Sequence, residues 1–211
     1  MPKYIEKATV RGSFNPRAVL PHSLTIDNVR LTIEATHDLL YGMNSFLVSK
    51  GQPRLEEMML GNAFAGFLSE IIVKNLADHS VQLTRNRKIG GYPDLIPKGK
   101  YPSDQVLRGQ GLEVKASKQR GGWQGHNPEK GWLVVFVYRI DMETQPVEDR
   151  FPTQIDEVLS AELDDDDWSF SGRKGQSRRT ITASILRKGV LRLRSNWIYS
   201  AQDRNERLEV G

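Results

Sequence analysis

The sequence predicts an α/β fold in which helices flank a mixed central β-sheet. Three observations lead there. Apolar residues recur at threes and fours across much of residues 23–77, the period of helices packed on one face. Between Leu112 and Ala116 apolar and charged residues alternate, the period of a half-buried strand. The run Trp132-Leu133-Val134-Val135-Phe136-Val137-Tyr138 is apolar throughout, as in a strand covered on both faces.

Taken in order, residues 1–22 carry Gly12, Asn15-Pro16 and Pro21 and read as an irregular arm; Arg11 and Arg17 there read as solvated. Residues 23–50 form a helix through Ile26, Val29, Ile33, Leu40, Met43 and Leu47, with Thr36 filling the one gap. Ser23 or Thr25 caps its start, and Gly51 with Pro53 ends it. His37 is placed at the edge of its apolar face. A second helix is expected over residues 53–77, with Pro53 in its first turn and Glu56 and Glu57 where the helix dipole favours acids. Gly61, Ala63, Ala65, Gly66 and Ser69 keep that helix slim enough for close packing. A break at Asp78-His79-Ser80 precedes a short strand over residues 81–85 and the basic turn Arg85-Asn86-Arg87-Lys88. That turn leads into a strand opened by Pro93-Asp94. A polar insert with Lys98, Lys100 and Arg108 follows, then the alternating strand. Residues 118–128 are glycine-rich and polar, with a tryptophan, Trp123, that reads as exposed. Residues 152–163 are expected to form a short helix through Ile155, Val158 and Leu159. The acid run Asp164-Asp165-Asp166-Asp167 reads as a solvated loop, and residues 180–186 and 190–193 read as strands.

The chain of 211 residues is long enough to bury a core and is read as one domain. Residues 1–60 are read as an N-terminal helical elaboration, 61–141 as the core and 142–211 as a basic C-terminal part. The absence of cysteine excludes disulfides, zinc–thiolate sites and a cysteine nucleophile, and fits a reducing cytoplasm. The first residues lack the apolar core of a signal peptide, and no apolar run reaches membrane-spanning length. A cytoplasmic protein with no membrane partner is therefore expected. A net charge of +4 leans toward an anionic partner.

The chemistry concentrates between Tyr92 and Ser117. If the runs Asp94-Leu95-Ile96 and Leu112-Glu113-Val114-Lys115-Ala116 pair as neighbours, Asp94, Glu113 and Lys115 converge at one end of a sheet. Two carboxylates repel and persist together most easily around a hard divalent cation. Mg²⁺ needs only one or two carboxylates when waters and substrate phosphates complete its shell. A lysine beside such an ion can orient a water and stabilise developing negative charge. The residue set therefore suggests metal-assisted hydrolysis of a phosphodiester. The bland alternative makes Glu113 and Lys115 solvated charges on an edge strand and Pro93-Asp94 a turn.

Pro93-Asp94 followed, after 18 residues, by Glu113-Val114-Lys115 resembles the PD-(D/E)XK nuclease superfamily, the fold of most restriction endonucleases. The resemblance is carried best by residues 61–141. It implies a restriction-endonuclease-like core with Asp94 and Glu113 as metal ligands and Lys115 as the catalytic lysine. Mg²⁺ is the implied cofactor, with Mn²⁺ a substitute. The family often adds a glutamate from the preceding helix, and Glu70 stands in the matching place. Its other reading is an ion pair with Lys74 one turn on. Family members often carry a helix between the third and fourth core strands, and the glycines of residues 118–128 depart from that pattern.

Double-stranded DNA is the implied partner. Lys118, Arg120, Gln124, His126 and Asn127 lie just after the catalytic strand, where a loop meets phosphates or base edges. Residues 168–202 hold eight basic residues and no acid, and Arg173, Lys174, Arg178 and Arg179 of that stretch complete the expected DNA-binding set. The leading expectation is a type II restriction-like endonuclease of a restriction–modification system, acting as a homodimer because a palindromic site is cut most simply by a two-fold pair. A repair, recombination or mobile-element nuclease of the same fold is one alternative, and a non-catalytic DNA-binding module is another.

Overall fold

The computed structural model describes residues 3–125, 130–170 and 183–202. Within them the elements are, in chain order, β1 (Ser13–Phe14), α1 (Ile26–Ser49), α2 (Leu55–Met58), α3 (Gly61–His79), β2 (Leu83–Arg85), β3 (Leu95–Pro97), β4 (Leu112–Ser117), β5 (Gln124–Gly125), β6 (Gly131–Arg139), β7 (Gln154–Leu163), β8 (Trp168–Phe170), β9 (Ala183–Ile185), α4 (Arg187–Ser195) and β10 (Trp197–Ser200). Seven strands make one mixed sheet in the order β1-β10-β7-β6-β4-β3-β2. The strands near Val81, Asp94, Glu113 and Trp132 form its β2-β3-β4-β6 half. The sheet also takes strands from the first sixty residues and from beyond residue 141. Its β4–β6 pair is parallel, Leu112 facing Trp132 and Ser117 facing Val137, whereas its other pairs are antiparallel. None of the described helices is long and apolar enough to cross a membrane.

Each face of the sheet has its own cover. Val134, Phe136 and Tyr138 of β6, with Leu112 and Val114 of β4, pack under α1 and α3. Leu133, Val135 and Val137 turn the other way, onto a smaller core with Trp123, Trp168, Ile185 and Leu193. That second cover is a three-stranded sheet, β5-β9-β8, together with α4. The continuous apolar character of β6 thus follows from burial on both sides.

α1 starts where a cap is available. Thr25 Oγ1 accepts from Asn28 N at 3.2 Å, and the Asn28 side chain accepts from Thr25 N at 2.8 Å. Asn28 Nδ2 also donates to His79 O, tying the start of α1 to the end of α3. The expected single helix over residues 53–77 is two helices, α2 and α3, parted at Met59 and Leu60, which are extended. The cause is tertiary. Arg54, fully buried, donates to Phe151 O and Asp141 O. Glu56 accepts from Asn44 and Thr153, and Glu57 from Arg150 and Tyr4. These bonds fix the direction of α2 independently of α3.

Two expected elements change type. Residues 152–163 hold the strand β7 rather than a helix. Tyr138 faces Ile155 while Val137 faces Glu157, so Asp156 is an extra residue, a β-bulge. The bulge resets the alternation and puts Ile155 and Val158, three apart, into the same core. A spacing of three reads as helical when the bulge is unseen. Conversely, residues 190–193 lie in the helix α4 rather than a strand. Gly189 lets it approach closely, since a Cβ there would stand 2.7 Å from Ile185 Cγ2.

His37 is not at the edge of a face but buried in the α1 interface, where its Nε2 accepts from Ile155 N at 3.1 Å. That bond requires a neutral imidazole, and burial pushes the ring down to about 4. An unfolded histidine titrates near 6.5, at about pH 6.5. The folded protein therefore binds fewer protons than the unfolded chain between those values. Its stability is full above about pH 6.5 and declines as the pH falls toward about 4, by up to about 3 kcal/mol. His37→Gln, whose amide oxygen can still accept from Ile155 N, should flatten that decline between pH 6.5 and 5, above the carboxylate range. Urea unfolding across this window is the measurement. An unchanged slope in the variant would assign the acid sensitivity elsewhere.

Candidate active site

β3 and β4 are registered at Leu95 and Leu112, and β3 goes no further back than Leu95. Beyond that point the outer edge of β4 is not laddered by β3. Asp94 lies there instead, and its Oδ2 accepts from Val114 N at 3.0 Å. One acidic side chain thus takes the place of a strand and is held against β4 beside Glu113. The carbonyl of Val114 accepts from Ser69 Oγ of α3 at 3.3 Å, which joins the same point to the helix layer. Gly111, at φ +159°, permits the close crossing just before β4. A Cβ there would stand 1.9 Å from Leu95 O.

Alternation puts Leu112 and Val114 into the core and leaves Glu113 and Lys115 partly exposed on the other face. Lys115 Nζ lies 3.4 Å from Glu113 Oε1, with both side chains below one-fifth exposed. Asp94, Glu113 and Lys115 line a single open cleft of about 880 Å³. Gly61, Asn62, Ala65, Gly66 and Ser69 of α3 form one wall, and Trp123, Gln124 and Gly125 form another. Sequence reasoning took the small residues of α3 for packing residues. Several of them leave space instead: a Cβ on Gly61 or Gly66 would meet nothing within 4 Å. Small residues at three- and four-residue spacing are compatible with either role, so the sequence signal was present but undirected.

Glu70 lies elsewhere. It lines a neighbouring cleft of about 700 Å³ with Arg85, Arg87 and Lys88, and Asp94 belongs to the walls of both clefts. Its carboxylate pairs with Arg85 rather than Lys74, which pairs with Asp78. Among the described residues no three His, Cys, Asp or Glu side chains form a metal-binding group. The donor set of the main cleft is thus two carboxylates with a lysine. Hard oxygen donors without nitrogen or sulfur fit Mg²⁺ better than zinc or copper, provided that water and substrate oxygens supply the remaining ligands.

The expected DNA contacts divide into three groups. Lys118 and Gln124 line the main cleft, and Lys118 pairs with no carboxylate among the described residues. Arg120 is engaged inward. It meets Glu157 at 3.3 Å and Asp156 at 3.5 Å, while Arg139 and Arg194 complete the same ionic cluster. Burial pushes the Asp156 carboxyl up, against the attraction of Arg139 and Arg120. His126, Asn127, Arg173, Lys174, Arg178 and Arg179 lie outside the described residues. Trp123, expected to be exposed, is buried at 3 % and donates from Nε1 to Gln119 O. The expected solvated acid run is a 3₁₀ turn, Asp165–Asp167, facing α4. Arg192 pairs with Asp164 and Asp167, and Lys188 with Asp166. Part of the positive charge of residues 168–202 is therefore neutralised within the protein.

Comparison with protein-family models, curated proteins and solved structures gave no significant match. Established here is the class: an α/β fold with a seven-stranded mixed sheet flanked by helices.

The ionic cluster carries a prediction about the wall of the cleft. Arg120→Ala should destabilise the protein by about 1–2 kcal/mol, because Glu157 and Asp156 keep other partners and Arg120 is partly solvated. Hydrogen exchange at Trp123, Gln124 and Gly125 should accelerate more than exchange in β6. Uniform acceleration would show that Arg120 supports the whole domain rather than this wall.

Proposed function

We propose that this protein is a Mg²⁺-dependent DNA endonuclease with a restriction-endonuclease-like core, of the type II restriction kind. The observation that carries the reading is the sharing of one cleft by Asp94, Glu113 and Lys115 at the unladdered edge of β4. In this reading Asp94 and Glu113 hold the metal. Asp94 is oriented for that work by its bond from Val114 N. When bound there, Mg²⁺ would supply Lewis-acid charge at the phosphate and lower the pKa of a bound water.

Lys115 works alongside. Its ammonium, partly desolvated next to Glu113, orients the water and offsets charge developing on the phosphoryl oxygens. Glu70 acts indirectly, holding Arg85 at the border of the neighbouring cleft. Lys118 offers a phosphate contact and Gln124 a hydrogen-bonding side chain at the opposite wall. Two such sites in a two-fold homodimer would cut both strands of a palindrome.

The test is cleavage of supercoiled and linear phage DNA by wild type and Lys115→Ala, with Mg²⁺ or EDTA. Discrete fragments are expected with Mg²⁺ alone. Lys115→Ala should lower the rate by about 10²–10³-fold, the scale for removing one transition-state charge stabiliser. Metal-dependent nicking without a fragment pattern would favour the repair or recombination role. DNA binding with no cleavage by either protein would overturn the endonuclease assignment.

A further inference from the structure

The basic turn before Asp94 has a feature that the cleavage chemistry leaves unused. Gly91 N donates to Lys88 O at 2.9 Å, closing a β-turn with Ile89 and Gly90 at its centre. Gly90 takes φ +68°, a value that glycine allows at the second central position. Ile89 is 96 % exposed at the tip, the most exposed of the large apolar side chains described. A lone surface isoleucine is ordinary. This one sits on a turn anchored at several points.

Asn86 provides most of the anchoring. Its N donates to Asp94 O at 2.8 Å, and its Nδ2 donates to Pro93 O and Val106 O. Its Oδ1 accepts from Lys88 N and Val106 N. Arg87 N donates to Asp104 O at 2.9 Å. At Gly91 a Cβ would stand 2.5 Å from Val106 O, so the turn is pressed against the loop behind it. These bonds tie the placement of Ile89 to that of Asp94. The adjacent cations differ from Lys188, Arg192 and Arg194: Arg87 and Lys88 are exposed and have no carboxylate partner among the described residues, and both line the cleft that Asp94 borders.

We infer that this turn is a DNA wedge: Ile89 enters between base pairs beside the scissile phosphate, while Arg87 and Lys88 hold the flanking phosphates. The inference rests on DNA being the partner of the neighbouring site. Charge complementarity selects the occupant, since two unneutralised cations around an apolar tip match a polyanion with an apolar stacked interior. Inserting an apolar side chain at a base step unstacks it and kinks or untwists the duplex. An anchored turn resists being pushed back by the stack. It also makes strand distortion and cleavage geometrically linked through Asp94.

Wedging changes DNA topology, which gives a readout independent of cleavage. Lys115→Ala protein, bound to closed circular phage DNA in Ca²⁺ while a type I topoisomerase relaxes it, should leave the DNA with a lowered linking number. Adding Ile89→Ala should abolish the shift while the complex still forms in a gel-shift assay. Ile89 is exposed, so the variant should retain the wild-type circular dichroism. Arg87→Ala with Lys88→Ala should weaken binding and reduce the slope of log K against log salt by about two. A linking-number change that persists in Ile89→Ala, or the absence of any change despite binding, would overturn the wedge. If wild type fails to cut with Mg²⁺ while an Ile89-dependent shift remains, the nuclease reading fails and the wedge stands. Mg²⁺-dependent cutting by wild type with no Ile89-dependent shift refutes the wedge and leaves the nuclease reading intact.

Discussion

Parallel pairing of β4 with β6 makes the chain leave one end of β4 and return to the other end of its neighbour. Residues 118–130 link the two strands, and the described part of that link, residues 118–125, runs over the face of the sheet opposite α1 and α3. On the way they bury Trp123 and contribute β5 to the small sheet. A helix is the usual means of such a crossover. Here a glycine-rich connection succeeds because Trp123 supplies apolar area and Ile185 N donates to Trp123 O. The same path carries Gln124 and Gly125 alongside Lys115, so the crossover builds a wall of the cleft while covering the core.

The edge of β4 and the shortness of β3 depend on one another. β3 ends its pairing at Leu95, and the Asp94 carboxylate takes the Val114 amide that another strand residue would have taken. An unladdered strand edge exposes polar backbone groups and invites unwanted pairing. Here the Asp94 side chain, just before β3, and the Ser69 side chain of α3 occupy the amide and the carbonyl of Val114. The edge is thereby made polar and accessible without being left open to another strand.

Charge is distributed in two ways. Arg120, Arg139 and Arg194 converge on Asp156 and Glu157, and Lys188 and Arg192 on the acid run. These cations stabilise the fold around β7 and α4. Arg87, Lys88 and Lys118 border the two clefts with no such partners among the described residues. A count of basic residues along the chain cannot separate these groups, because pairing depends on which acids the fold brings within reach. The acid run of residues 164–167 lies next to the basic stretch in sequence, and helical α4 turns that adjacency into ion pairs.

Much of the architecture was legible locally. The cap and periodicity of α1, the alternation of β4 and the unbroken apolar run of β6 are each set by residues within one element. The meeting of Asp94, Glu113 and Lys115 was legible only on condition that their two runs pair, which the fold supplies at Leu95 and Leu112. What failed depends on distant partners. β7 imitated a helix because the bulge at Asp156 is defined against β6. α2 separated from α3 because Arg54, Glu56 and Glu57 bond to residues about one hundred positions away or to the N-terminal Tyr4 and to Asn44. His37 and Trp123 were misplaced because burial belongs to the assembled fold. By itself, then, the sequence determined element type where side-chain period alone distinguishes the faces, and it put Glu113 and Lys115 on one face of one strand. Tertiary structure alone decided which charges neutralise one another, where Glu70 points its pairing, and how a slim helix and a crossover leave room for a cleft, because each depends on distances between residues remote in the chain.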